Sequence, residues 1–142
     1  MRNNETATTI ACLKQCEEVF APAHASLYME ERESGLLYPR AAQPGEIPPH
    51  LPQDHAQVRD LAAQGYSAML DLGLPEEYLS HPDLSAQADR CEELSPEECA
   101  QFLLFAFRLP LRYGQQGFFA LWRRGVLQTA ARRLRVHLEQ EN

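Results

Sequence analysis

The stretch SPEECAQFLLFAFRL, Ser95 to Leu109, constrains the fold of this chain more than any other. Ser95 followed three residues later by Glu98 is a capping box, and Pro96 stands where the first turn of a helix accepts proline. After Cys99 the residues Phe102, Leu103, Leu104, Phe105, Ala106 and Phe107 are apolar on nearly every side of a helical wheel. Six apolar residues would also suit a buried strand, and the cap decides for a helix. A helix without a polar face has to be surrounded by other elements. The fold is therefore expected to be mainly α, with this helix central and Pro110 as its end.

The flanking segments supply the surrounding helices. Thr9, Cys12, Leu13, Cys16 and Phe20 recur at helical spacing over about Thr8 to Ala21. The stretch AHASLYMEERES reads as a second short helix, stopped by Gly35 as a C-terminal cap. Pro39, Pro44, Pro48, Pro49 and Pro52 make 36–53 a proline-rich loop, with an extended piece over Leu36 to Tyr38. Its Leu36, Leu37, Tyr38, Ile47 and Leu51 are apolar enough to lie on the body. Asp54 is a candidate N-cap for a helix whose Val58, Leu61, Ala62, Gly65, Met69 and Leu72 form one stripe. Glycine inside that stripe lowers helix propensity, so Gly65 predicts close approach of a neighbouring helix. Pro75 opens a further helical start, HPDLSAQADRCEEL is a short turn or helix, and Gly125 divides FFALWRR from a last helix. The whole is a single compact domain of five to seven helices: N-terminal helices over 1–35, the loop over 36–53 and a helical core over 54–142.

A chain of 142 residues with 44% hydrophobic content is long enough to build one core. No apolar run reaches the roughly 18 residues of a membrane span, and MRNNETATTI has neither an apolar h-region nor a cleavage site. A cytoplasmic protein with reduced thiols is expected, with no membrane partner. The net charge of −7 is unevenly spread. Between Cys99 and Leu138 there is no Asp or Glu, while Arg108, Arg112, Arg123, Arg124, Arg132, Arg133 and Arg135 occur there. Glu139 and Glu141 follow, so the first 98 residues carry −12. Either the acidic body and the basic third neutralise one another across a seam, or one of them faces a charged partner.

Motifs for chemistry are absent from the sequence. No nucleophile elbow, phosphate-binding glycine loop, zincin histidine pair or dinucleotide fingerprint occurs. Cys12 and Cys16, four apart, have metal-ligand spacing, but they share a stripe with Leu13 and Phe20 and read as core thiols, as do Cys91 and Cys99. His81, Pro82 and Asp83 form the tripeptide of J-domain co-chaperones without the basic helix before it or the basic residues after it; a capped turn accounts for them. No metal or cofactor is expected.

GVLQTAARRLRVHL, Gly125 to Leu138, has the look of a helix-turn-helix recognition helix. That motif needs a small residue four positions before its turn glycine, and here the position holds Leu121. Leu127, Ala130, Ala131, Leu134 and Leu138 form a face for packing, and arginines near a helix C-terminus favour its dipole. From Asp54 onward, GYSAML, HPDLSAQAD, FRLPLRYGQQG and GVLQTAARRL together resemble the layout of an uncharacterised bacterial group, domain-of-unknown-function family 6508. The resemblance implies a mostly helical domain and carries no activity with it.

Three functions follow in order of expectation. The first is a non-enzymatic protein-binding regulator, such as a bacterial or phage inhibitor, immunity or anti-defence protein. It would cover a basic, nucleic-acid-binding partner with an acidic face made of Glu76, Glu77, Glu92, Glu93, Glu97 and Glu98, with Glu30, Glu31 and Glu33 in the same acidic body. The second is a nucleic-acid-binding regulator using Arg123, Arg124, Arg132, Arg133 and Arg135. The third is an enzyme whose site is assembled only in space.

Overall fold

Local signals start the main helices. Asp54 Oδ1 accepts from the Gln57 amide at 2.9 Å and opens α3, His55–Asp71. Ser95 and Glu98 close the capping box, at 3.1 Å and 3.0 Å, and open α5, Pro96–Arg112. Asp83 caps the short α4, Leu84–Asp89, through the Ala86 amide. The computed structural model describes residues 4–40 and 46–141. The remaining helices are α1 (Asn4–Val19), α2 (Pro22–Ala25), α6 (Gln116–Arg124) and α7 (Val126–Gln140), with a 3-10 turn over Glu76–Tyr78. The expectation of a mainly α domain with five to seven helices holds. Pro44, in the proline-rich loop, lies outside the described residues.

Four long helices form an antiparallel bundle with cyclic order α1, α3, α5, α7. Lys14 meets Glu139 while Glu17 meets Arg135 and Gln128, which sets α1 against α7. Gly65 lies on Phe107 and the carbonyl of His55 on Gln115, which sets α3 against α5. Arg133 reaches Cys99, setting α7 against α5. Every residue of α5 from Cys99 to Phe107 is buried, as its unbroken apolar run requires. Leu127, Ala130, Ala131, Leu134 and Leu138 of α7 are buried too.

One end of the bundle is closed. Phe20, Phe107, Phe118 and Trp122 pack there, with Phe20 edge-on to Phe118 at 5.1 Å and to Trp122 at 5.0 Å. Trp122 donates its indole N–H to the Ala21 carbonyl at 2.9 Å, so its buried polar atom is satisfied. Over this plug lies an antiparallel hairpin, β1 (Tyr28–Glu30) and β2 (Leu37–Pro39), with Tyr28 opposite Pro39. Ile47 and Leu51 of the loop are buried against the body, as their apolar character predicts.

Two expectations fail here. The stretch AHASLYMEERES is not a helix stopped by Gly35: only its first three residues, Ala23 to Ala25, are helical as the end of α2, and the rest forms a turn, β1 and the hairpin turn. Gly35 has φ +68°, but it serves the turn between strands, where its carbonyl accepts from the Gln115 amide. Tyr28 explains the outcome: extended backbone turns its ring beneath Trp122 at 4.9 Å and its hydroxyl to the Pro52 carbonyl at 2.7 Å. Pro110 does not end α5, which runs on to Arg112. A proline this close to the C-terminus leaves one carbonyl unbonded, and burial of its ring offsets part of that loss.

Gly65 fulfils its expectation. A Cβ at this position would lie 2.6 Å from the Phe107 ring, so α3 and α5 touch backbone to ring. Gly65→Ala gains up to about 1 kcal/mol of helix propensity and loses about 1–3 kcal/mol to overpacking. A lower melting temperature is the expected net result; a variant as stable as the parent would mean the two helices have slack.

Candidate interaction surface

The second end of the bundle has no aromatic plug among the described residues. It gathers the C-termini of α3 and α7 and the N-terminus of α5, with the 3-10 turn and the α4–α5 link beside them. A shallow groove of about 200 Å³ runs across it, lined by Leu72, Pro75, Pro96, Glu97, His137 and Glu141 among others. Glu76 and Glu77 project from the 3-10 turn, Glu92 and Glu93 from the link, and Glu97 from the first turn of α5, all exposed. None of these five makes an ion pair among the described residues. Leu70 and Leu79, 49% and 48% exposed, stand at the same end and give it an apolar component.

Glu98 differs from the other five. Its carboxylate accepts from the Ser95 amide and lies 3.8 Å from Arg90. The Ser95 backbone N–H, with help from the Ser95 hydroxyl and Arg90, holds its carboxyl below the usual carboxylate range against the opposing effect of burial. It belongs to the helix cap. Glu30, Glu31 and Glu33 lie on the hairpin, at the opposite end, and so do not join this surface.

A group with a lowered native pKa contributes stability above its unfolded value and loses it as pH falls through the native value. Acidification below about pH 4.3, the unperturbed glutamate value, should therefore strip part of the α5 cap. Glu98→Gln keeps the capping geometry without the charge. Its stability profile in that range should be flatter than that of the parent, as followed by urea melts; parallel profiles would remove Glu98 from the titration.

The arginines of the last third are dispersed. Arg135 holds both oxygens of Glu17 and also Glu139 at 2.7 Å, and the Glu17 hydrogen bonds raise its pKa against desolvation. Arg133 donates to the carbonyls of Cys91 at 3.0 Å and Leu94 at 2.6 Å, tying α7 to the α4–α5 link. Arg124 pairs with Asp89 at 2.7 Å, and Arg123 lies over the Phe119 ring at 4.7 Å. Arg132 is exposed on a groove of about 370 Å³ between α5 and α7, beside Val136 and His137. The acidic and basic parts of the sequence thus do meet across a seam, mostly through α7.

Several residues that position these surfaces carry no sequence signal. Gln115, 1% exposed, accepts from the Leu37 amide at 2.7 Å and donates to the His55 carbonyl at 2.9 Å. It pins the hairpin to α3. Gln87 donates to Gln101 at 2.8 Å, and Gln101 donates to the Ser80 carbonyl at 3.1 Å, which fixes α4 and the 3-10 turn on α5. Gln115→Ala would leave the buried Leu37 amide unpaired, costing about 1–3 kcal/mol. Hydrogen exchange at Leu37 should quicken while the bundle amides of α5 and α7 stay protected. Uniform loss of protection would contradict a local role.

For chemistry the surface offers little convergence. Among the described residues no three His, Cys, Asp or Glu side chains cluster as metal ligands, and no helix is long and apolar enough to cross a membrane. The two grooves beside these charges are open to solvent. No family model, curated protein or solved structure matches the chain.

Proposed function

We propose that this chain is a non-enzymatic binding protein of the inhibitor, immunity or anti-defence kind, which masks a basic surface of another protein with the open end of its bundle. The supporting observation is the asymmetry of charge use. Glu76, Glu77, Glu92, Glu93 and Glu97 are exposed at one end and form no ion pair among the described residues, whereas Arg124, Arg133 and Arg135 are engaged with other residues of the fold. Free carboxylates around half-exposed Leu70 and Leu79 suit a partner with a basic rim and an apolar centre. A partner of that charge would itself be a nucleic-acid-binding protein, and the acidic end would stand in for phosphate.

The nucleic-acid reading places Arg123, Arg124, Arg132, Arg133 and Arg135 on phosphate. It would require Arg133 and Arg135 to give up hydrogen bonds inside the fold, which leaves mainly Arg132 and Arg123 for the backbone.

Two titrations separate these readings. A lysine-rich peptide should bind the chain at low salt, weaken steeply as salt rises, and be lost in Glu76→Lys, Glu77→Lys, Glu92→Lys and Glu93→Lys combined. A DNA duplex should show no salt-dependent affinity. Duplex binding that Arg132→Ala and Arg123→Ala abolish, with none to the peptide, would reverse the assignment.

A further inference from the structure

Arg133 is half-buried on α7, and every side-chain hydrogen bond it makes among the described residues goes to a neutral acceptor. Its Nη1 donates to the carbonyls of Cys91 at 3.0 Å and Leu94 at 2.6 Å and lies 3.6 Å from the Cys99 sulfur. Among the described residues no carboxylate pairs with it, nor with Arg132 beside it. A charge drawn partly out of water without a counter-ion is costly, so the fold holds positive charge here that it does not itself neutralise. Both arginines line the groove of about 370 Å³ between α5 and α7. We infer that this groove is a binding site for a small organic acid: a carboxylate carrying an apolar body.

The walls suit both parts of such a ligand. Only Nη1 of Arg133 is committed, and its Nε and Nη2 form no hydrogen bond among the described residues. Those two atoms present the parallel N–H fork of a guanidinium, and a carboxylate accepts from both at once. A small anion therefore reaches Arg133 without displacing the carbonyls that seat it. Arg132, exposed on the same groove, adds a second cation. Leu94, Pro96 and Val136 form the apolar wall, and Val136, 39% exposed, is left for the ligand's body to cover. The volume falls within the range of small-molecule sites, about 300–1,000 Å³.

Nothing that lines the groove repels an anion. Its walls include no Asp or Glu. Burial pushes the Cys99 thiol up to about 11 despite Arg133, so it stays uncharged. His137 Nε2 lies 3.3 Å from Glu141, which stands outside the walls, and that pair leaves the attraction to the two arginines. Inorganic phosphate would satisfy the arginines and leave the apolar wall bare. None of Glu76, Glu77, Glu92, Glu93 or Glu97 lines the groove, so the site is separate from the protein-masking end.

The test is a titration of the folded chain with 3-phenylpropionate, followed by NMR of the backbone amides, with 3-phenylpropionamide and inorganic phosphate as comparisons. The acid should saturate with a dissociation constant of about 1 mM or tighter, as suits a ligand of its size, and should move the Leu94, Cys99, Val136 and His137 amides most. The amide lacks the charge and phosphate lacks the apolar body, so each should bind about tenfold or more weakly than the acid. Arg133→Lys keeps the charge without the fork and should weaken the acid about tenfold. Because that change also removes the contacts to Cys91 and Leu94, Val136→Glu at an exposed position is the second variant; it should abolish binding at an unchanged melting temperature. Glu76→Lys, Glu77→Lys, Glu92→Lys and Glu93→Lys combined, which end the proposed masking of a partner, should still bind the acid. Absence of saturation overturns the inference, as does equal binding of acid and phosphate, or acid binding unaltered in folded Val136→Glu.

Discussion

The α5 helix has to be enclosed on all sides, and the rest of the molecule is arranged to do that. A buried Phe or Leu side chain contributes about 1.5–3 kcal/mol, and α5 carries Phe102, Leu103, Leu104, Phe105 and Phe107 around its circumference. Two neighbouring helices cannot cover that much surface. α3 and α7 flank it, α6 and the aromatic plug take its C-terminal part, and α4 with the 3-10 turn takes what α3 and α7 leave. The Gly65 backbone lies directly against the Phe107 ring within this enclosure. The enclosure also explains why the short segments between α3 and α5 are held on the surface of α5 at all.

Those short segments are secured by polar atoms. Gln101 and Gln87 join α4 and the 3-10 turn to α5, Arg133 binds the α4–α5 link through two carbonyls, and Gln115 bonds the hairpin to α3. A buried amide side chain is most stable where both its donor and acceptor find partners, which Gln87, whose Oε1 has none among the described residues, does not fully achieve. Gln115 achieves this with a strand amide on one side and the helix-start carbonyl of His55 on the other, so the hairpin has one seating.

What could be read from the sequence divides along the range of the interactions concerned. The caps at Asp54, Asp83 and Ser95, the stripes of α1, α3 and α7, and the enclosure of α5 all depend on residues within a few positions of each other. The hairpin does not. Its three-residue strands are too short for an alternation pattern, and the residue that fixes β2 lies 78 positions away. The charges of the candidate surface follow the same division. Arg132 and Arg133 are adjacent in sequence, yet one is exposed and the other is committed to carbonyls about 40 residues upstream. Glu97 and Glu98 are likewise neighbours, and here the capping box does separate the free carboxylate from the engaged one. Pairing of Arg135 with Glu17 spans 118 positions, and nothing local foretells it.

The antiparallel order of the bundle bears on the open end in a further way. Helix termini carry about half a charge each, positive at the N-terminus and negative at the C-terminus. At the open end α3 and α7 present C-termini while α1 and α5 present N-termini, so the four contributions largely cancel. The field there is then set by side chains, and specifically by Glu76, Glu77, Glu92, Glu93 and Glu97, which form no ion pair among the described residues. Because these carboxylates hold no element in place, their charge is separable from the architecture. The closed end offers no such freedom, since Trp122, Tyr28 and Gln115 each satisfy a buried polar atom there. A surface whose charge changes without cost to the core suits the proposed binding role, and among the described residues the open end has that property.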